Sequence, residues 1–284
     1  MWLLIGLKRQ FKGYFLQSTH SPQFQPLLQQ HQLASFEQLW NFKGDWFEPP
    51  NRERGGWSGV NFIELADNTG TKHGFYLKRQ QAHMRRTWRH PLVGEPTFVR
   101  EFEILEHLSK HHVATPNLVF FGSQQDKAIL LTQALTGFVA ADEWLKNHVE
   151  VSVHQKNALM RALADAVRKL HIAGVQHRSL YLKHLFVKEN NGTFEVAAID
   201  FEKSRITPFI KWFRLADLIT LHYRTADLRA SLKMGFFKQY FGISHLSAQY
   251  NLTALNKLTA PCKLTPTYKF LCRYLHQQSL KKRR

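Results

Sequence analysis

The sequence predicts an α+β fold, because its strands and helices are segregated along the chain instead of alternating as βαβ units. Extended runs at 57–65, 74–79, 117–122 and 127–131 crowd the first half, with one strong helix among them. The second half reads as helical apart from a single hairpin. A parallel doubly wound sheet is therefore not expected.

Taken in order, residues up to about 38 show mixed helical character, with Pro22 and Pro26 as breaks. The run 57–65 is extended, Asp67-Asn68-Thr69-Gly70 turns the chain, and 74–79 returns as a second strand. Helix follows over 97–110, where Phe98, Phe102, Leu105 and Leu108 recur at spacings of three and four. The runs 117–122 and 127–131 form another strand pair, and Leu135-Thr136-Gly137 then breaks the apolar pattern as a hinge between halves. Residues 155–172 are the best helix, with Leu159, Leu163, Ala166 and Leu170 on one face and Gly174 placed as a C-terminal cap. Asn190-Asn191-Gly192 joins 185–187 to 194–199 as a hairpin. From Ile210 the chain is helical, with breaks expected at Gly235, Gly242, Pro261 and Pro266. The expected division is an N-terminal extension over 1–45, a strand-rich portion over 46–134 and a helical portion over 135–284 ending in the basic tail Lys281-Lys282-Arg283-Arg284.

With 284 residues, 44% of them apolar, and no low-complexity tract, the chain can bury a substantial core. Two cysteines, Cys262 and Cys272, exclude a disulfide framework and leave a Cys-based zinc site short of ligands, so reduced thiols in a cytosolic protein are expected. The apolar start, Met1 to Leu7, is too short to cross a bilayer and lacks the marks of a signal peptide. With Lys8, Arg9, Phe11, Lys12, Tyr14 and Phe15 it fits an interfacial segment or a helix packed on the body. The formal charge of +18 attracts polyanions. No zinc-finger, RNP-type or helix-turn-helix pattern accompanies it, so nucleic acid as a partner rests on charge alone.

Several residues suit phosphate chemistry. Arg54-Gly55-Gly56-Trp57-Ser58-Gly59 holds three glycines in five residues before a strand, where backbone N–H groups can approach phosphate oxygens. A glycine-rich hairpin turn explains the same residues, and neither a Walker loop nor a nucleophile elbow is completed. Lys78 ends an apolar strand as a point charge able to hold phosphates. On the helix over 97–110, Glu101 shares a side with Phe98, Leu105 and Leu108 and is the inward partner for Lys78, whereas Glu103 points away. Asp200 closes the apolar run Val196-Ala197-Ala198-Ile199, a place that packing explains poorly and a hard cation explains well.

Together with His177-Arg178-Ser179-Leu180-Tyr181-Leu182-Lys183-His184, Ile199-Asp200-Phe201-Glu202-Lys203 and Arg214-Leu215-Ala216-Asp217-Leu218, these pieces make the chain resemble the lipopolysaccharide kinases of the Kdo/WaaP family, most of all its InaA-type members. The resemblance spans roughly residues 50 to 225 and lies in the order and spacing of the pieces. It implies a two-lobed protein-kinase-like fold, with a strand-rich N-lobe holding one key helix and a mainly helical C-lobe. It implies ATP with Mg²⁺ or Mn²⁺, and an acceptor hydroxyl on lipopolysaccharide core or lipid-linked Kdo at the cytoplasmic face of the inner membrane. Carried over by position, Lys78 pairs with Glu101 and holds phosphates, and Gly55, Gly56 and Gly59 form the phosphate loop. Asp200 binds metal, and His184 takes the second metal position, an unusual partner for Mg²⁺. Asp217 is the structural aspartate beyond the catalytic segment.

Ser179 departs from the pattern, standing where such enzymes carry the aspartate that accepts the acceptor's proton. A hydroxyl cannot replace that base, though His177, Tyr181 or Glu202 are candidates to assist. Three functions follow: a phosphotransferase, a pseudokinase that binds nucleotide without transfer, or a basic membrane-surface or polyanion-binding protein. The run Arg79, His83, Arg85, Arg86, Trp88, Arg89 and His90 fits either a solvated loop or an anionic glycolipid contact. His111-His112 reads as a helix end and not a metal site.

Overall fold

The computed structural model describes residues 15–19, 21–52, 55–85, 94–225 and 227–242. The N-terminal interfacial segment, residues 86–90 of the basic run, Pro261, Pro266, both cysteines and the basic tail lie outside them. By contact the chain divides into Met1–Val139 with Ala197–Arg205, and Ala140–Val196 with Ile206–Arg284. The segment carrying Asp200 thus belongs to the first unit, as does everything before Val139.

The first unit contains β1 (Phe15–Thr19), α1 (Gln25–Gln30), α2 (Phe36–Trp40), β2 (Trp46–Asn51), β3 (Trp57–Ala66), β4 (Lys72–Gln81), β5 (Met84–Arg85), β6 (Glu95–Pro96), α3 (Thr97–Lys110), β7 (Leu118–Gln124) and β8 (Lys127–Gln133). Six strands form one antiparallel sheet in the order β1-β7-β8-β4-β3-β2. The β3–β4 hairpin is closed by Asp67, whose carboxylate accepts from the Thr69 and Thr71 backbone N–H groups and the Thr69 hydroxyl.

Side chains alternate across a pleated sheet, and register sorts them here. Val60, Lys78, Leu130 and Phe121 are successive cross-strand partners on one face, and Asn61, Leu77, Leu131 and Phe120 on the other. On the Lys78 face lies α3, with Phe102 stacked on Phe121 at 4.2 Å. Against the Leu77 face lie α1 and α2, which bury Leu27, Leu28, Phe36 and Leu39 with Phe75, Leu77, Ile129 and Leu131. Burying a side chain of this kind stabilises by about 1.5–3 kcal/mol, so α1 and α2 contribute directly to the core beneath this sheet.

Three expectations are corrected. Pro22 and Pro26 begin a 3₁₀ turn and α1 instead of breaking helices, since a proline at the first turn gives up an N–H that has no partner there. Residues 15–19 are a strand and not helical, because they pair with β7 at the sheet edge. Gly235 sits inside α7 without ending it.

After β9 (Val139–Ala140) come α4 (Ala141–Asn147), α5 (Val153–Ile172), β10 (Val175–Gln176), β11 (Leu185–Asn190), β12 (Thr193–Ala198), β13 (Arg205–Ile206), α6 (Ile210–Arg224) and α7 (Ala230–Phe241). Ser152 caps α5 through its hydroxyl, and Gly174, at φ +78°, donates back to His171 as α5 ends. Leu159, Met160, Leu163 and Val167 of α5 are buried, as are Leu232, Phe236, Phe237 and Tyr240 of α7. Gln239 of α7 donates to Asp165 of α5 at 2.9 Å. Asn191 and Gly192, at φ +48° and +79°, close the β11–β12 hairpin. Among the described residues no helix is long and apolar enough to cross a membrane.

Candidate active site

In the first unit the site is built on β4 and α3. Lys78 leaves β4 toward α3 and donates to Glu101 Oε1 at 2.6 Å, with the side chains 22% and 4% exposed. Glu103, two residues on, is exposed, as a helical period of 3.6 requires. Gln80, also on the Lys78 face, fixes where α3 begins. Its Oε1 accepts from the Thr97 hydroxyl at 2.8 Å and the Phe98 N–H at 3.2 Å, taking the place of a side-chain cap that Pro96 cannot provide. Burial alone would lower the Lys78 ammonium, but the charge and hydrogen bond of Glu101, with Asp200 and Glu202 behind it, hold its pKa above the usual value. The lysine is therefore a fixed cation in an acidic surround.

Asp200 and Glu202 come from the segment 197–205. That segment is tied to the first unit by the Ala198 N–H to the Ala114 carbonyl at 3.1 Å, and by Arg100 of α3 to the Glu202 carbonyl at 3.3 Å. Phe201 between them is fully buried. Asp200 itself holds φ +62°, a left-handed conformation that costs about 1–3 kcal/mol in a non-glycine residue and gathers at functional sites.

The glycines separate. Gly55 and Gly56 form the turn between β2 and β3, Gly55 at φ +77° and Gly56 pressed on the Gln81 carbonyl and Ala82 backbone. Gly59 lies inside β3, where a Cβ would stand 2.5 Å from the Trp46 ring. Across from it, Arg79 is buried: it lies 4.9 Å from the Trp46 ring centroid and donates to the carbonyls of Trp40 and Phe42 and to Asn61. Arg85 pairs with Glu95. These two members of the basic run are thus committed internally and are not part of a solvated loop.

In the second unit, residues 177–184 form a loop whose backbone is held by Asp217 of α6. Its Oδ2 accepts the His177 N–H and its Oδ1 the Arg178 N–H, both at 2.7 Å. His171 of α5 bonds Asp217 Oδ2 at 3.2 Å through Nε2 and the Tyr240 hydroxyl at 2.6 Å through Nδ1. Asp217, His171 and Tyr240 are all buried. Hydrogen bonds to a charged group contribute about 1.5–3 kcal/mol each, so the loop is fastened by one carboxylate. His171 and Tyr240 were not singled out by sequence reasoning; a histidine near a helix C-terminus reads as a dipole partner, which is what His111 is, donating to the His107 carbonyl.

Within the loop, His177 and Ser179 are buried and Arg178, at φ +66°, is exposed. Complete burial of the His177 ring suits packing better than proton exchange with an acceptor. His184 donates through Nδ1 to the Ser179 carbonyl at 2.8 Å, which places the imidazole lone pair on Nε2, the nitrogen a metal would use. Asp200 and Glu202 supply hard oxygen donors. Among the described residues no three His, Cys, Asp or Glu side chains converge as a preformed metal cage.

A strand lysine locked to a buried helix glutamate, an aspartate segment beside them and an anchored histidine loop are the parts of a protein-kinase-like phosphotransferase. The sequence agrees. The chain belongs to the lipopolysaccharide kinase (Kdo/WaaP) family, whose model it matches over residues 37–240. It is 34% identical over 176 residues to the protein InaA of Escherichia coli strain K12, covering 60% of this chain and 78% of that one. To the lipopolysaccharide core heptose(I) kinase WaaP of the same strain it is 27% identical over 192 residues, 61% and 70% of the two chains. A solved structure of WaaP in complex with acyl carrier protein superposes with a TM-score of 0.60 at 20% identity, over 91% of this chain and 98% of that one, which shows the shared fold.

Proposed function

We propose that this chain transfers the γ-phosphoryl group of ATP to a sugar hydroxyl of lipopolysaccharide core, or of a related anionic envelope glycolipid. The carrying observation is the buried Lys78–Glu101 pair, with Asp200 and Glu202 close enough for their charges to act on both members. Lys78 holds nucleotide phosphates as a fixed point charge, and Glu101 keeps it oriented. Gly55 and Gly56 are the backbone positions nearest the phosphates. Asp200 would hold Mg²⁺ or Mn²⁺, with His184 as the second ligand by its position in the family's sequence pattern, and the ion would supply neutralisation of phosphate charge. The acceptor oxygen forms a bond to the γ-phosphorus, the bond to the bridging oxygen of ADP breaks, and the hydroxyl proton leaves to a phosphate oxygen or water.

Ser179 does not forbid this. A general base contributes typically about 10²–10⁴-fold, whereas positioning and charge stabilisation carry most of phosphoryl transfer. ATP and a lipid-linked acceptor place the reaction at the cytoplasmic face of the inner membrane. Ser179 does favour a second reading, a module that binds nucleotide and transfers nothing.

Labelled γ-phosphate supplied as ATP with Mg²⁺ or Mn²⁺ to extracted lipopolysaccharide core separates the two. Label in the glycolipid that disappears in Asp200→Ala is the expected result. Nucleotide binding by folded protein with no label in any envelope glycolipid fraction would establish the second reading.

A further inference from the structure

In the second unit two cations gather on one ring of the loop that carries Ser179. The turn Leu182–His184 follows Tyr181 and is closed by the His184 N–H on the Tyr181 carbonyl at 3.0 Å. The Tyr181 and His184 rings lie 5.1 Å apart, and His184 is itself bonded to the Ser179 carbonyl. Over the same Tyr181 ring stand the Arg224 guanidinium, 5.2 Å from its centroid, and the Lys183 ammonium at 5.9 Å. A ring face attracts a cation, which lets two like charges share one side chain. Both cations are exposed, and among the described residues no carboxylate pairs with either. The stretches that carry them, 177–184 and 219–225, hold no Asp or Glu. Arg224 is in the last turn of α6, where the carbonyl ends favour a cation. Lys183 reaches the same ring from a different element.

We propose that Lys183 and Arg224, set by Tyr181, form a subsite for a carboxylate or phosphate group that the acceptor glycan carries beside its reacting hydroxyl. A guanidinium fork matches the paired oxygens of such a group, and an ammonium adds a point charge. An anion there relieves the repulsion between the two cations, so the subsite reads the acceptor's charge. Its place beside Ser179 puts it on the loop where the acceptor hydroxyl is expected. The inference rests on the proposed function in taking the ligand to be an acceptor glycan. It goes beyond that reading by naming the side chains that select a charged one, and it does not need phosphate to be transferred.

The test is binding of deacylated lipopolysaccharide core oligosaccharide to the full chain, without nucleotide. It is compared with the same oligosaccharide stripped of phosphate and with its carboxylates reduced to alcohols. Wild type should hold the charged form about tenfold or more tighter. Lys183→Gln/Arg224→Gln should lose that preference while melting temperature, ATP affinity and affinity for the neutral form stay unchanged. Arg161→Gln/Lys169→Gln, which removes two other exposed cations of the second unit, should bind as wild type. A wild type that binds neither form, or both equally, overturns the proposal, as does a Lys183/Arg224 variant that keeps the preference. Equal loss in the Arg161/Lys169 control would assign the preference to diffuse charge, and weakened ATP binding would assign the cations to the nucleotide; either overturns the subsite. Labelled transfer separates the two claims. Label in the core with a KM that the Lys183/Arg224 variant leaves unchanged overturns the subsite and leaves phosphotransfer standing. A charge preference lost in that variant, with no label in any fraction, establishes the subsite and overturns phosphotransfer.

Discussion

Two buried carboxylates do opposite work in the two units. Glu101 holds another charge, the Lys78 ammonium, in place between β4 and α3. Asp217 accepts two backbone N–H groups and bonds a histidine, and so fixes a loop. The first fixes a charge in the site proposed to bind phosphates, and the second is scaffolding for the loop that carries Ser179. The loop carrying Ser179 is held by Asp217 through its backbone and not through the residue at position 179.

The largest test of this contrast is Asp217→Ala. It orphans two buried N–H groups and His171 together, and should destabilise by about 3–5 kcal/mol in denaturant unfolding. A loss under about 1 kcal/mol, the worth of one ordinary hydrogen bond, would break the comparison. Lys78→Met should cost about 1–3 kcal/mol by leaving a buried carboxylate unsatisfied, and Lys78→Met/Glu101→Leu should recover most of it while nucleotide affinity stays low. If the double variant is no more stable than the single one, Glu101 is not being held in place by charge pairing.

Smaller effects probe the sheet beneath the lysine. Gly59→Ala would push a methyl into the Trp46 ring and should cost about 1–3 kcal/mol in chemical unfolding. Normal stability with lost nucleotide binding would instead mark Gly59 as a phosphate contact. At the far end of the hairpin, hydrogen bonds from Thr69 and His73 hold the Asp67 carboxyl well below the usual carboxylate range. Its folded pKa is thus below the unfolded value near 3.9. Its contribution is complete above that value and is lost as pH falls through the folded one. Melting temperature against pH should show this acid limb weakened in Asp67→Asn.

Much of the site could be read from residue types because helix and strand periods decide sides. A period of 3.6 separates Glu101 from Glu103, and a pleat separates Lys78 from Arg79; structure places each pair as the periods require. What escaped was decided by tertiary contact. Nothing local shows that Arg79 will be buried beside the Trp46 ring. His171 and Tyr240 are 69 positions apart and meet only because α5 packs on α7. Strand β2 was hidden by its prolines, tolerated because the sheet ends there. That α1 and α2 cover one face of the sheet is invisible until the strands are paired.

The most direct measurement compares single-turnover transfer from ATP by wild type, Ser179→Asp and Asp200→Ala on extracted lipopolysaccharide core. If the held phosphate site carries the reaction, wild type transfers and Asp200→Ala falls by about 10²-fold or more. Ser179→Asp then changes the rate by no more than about tenfold, below the usual worth of a general base. A silent wild type that Ser179→Asp brings to life would contradict this, and would make the carboxylate at position 179 the missing part.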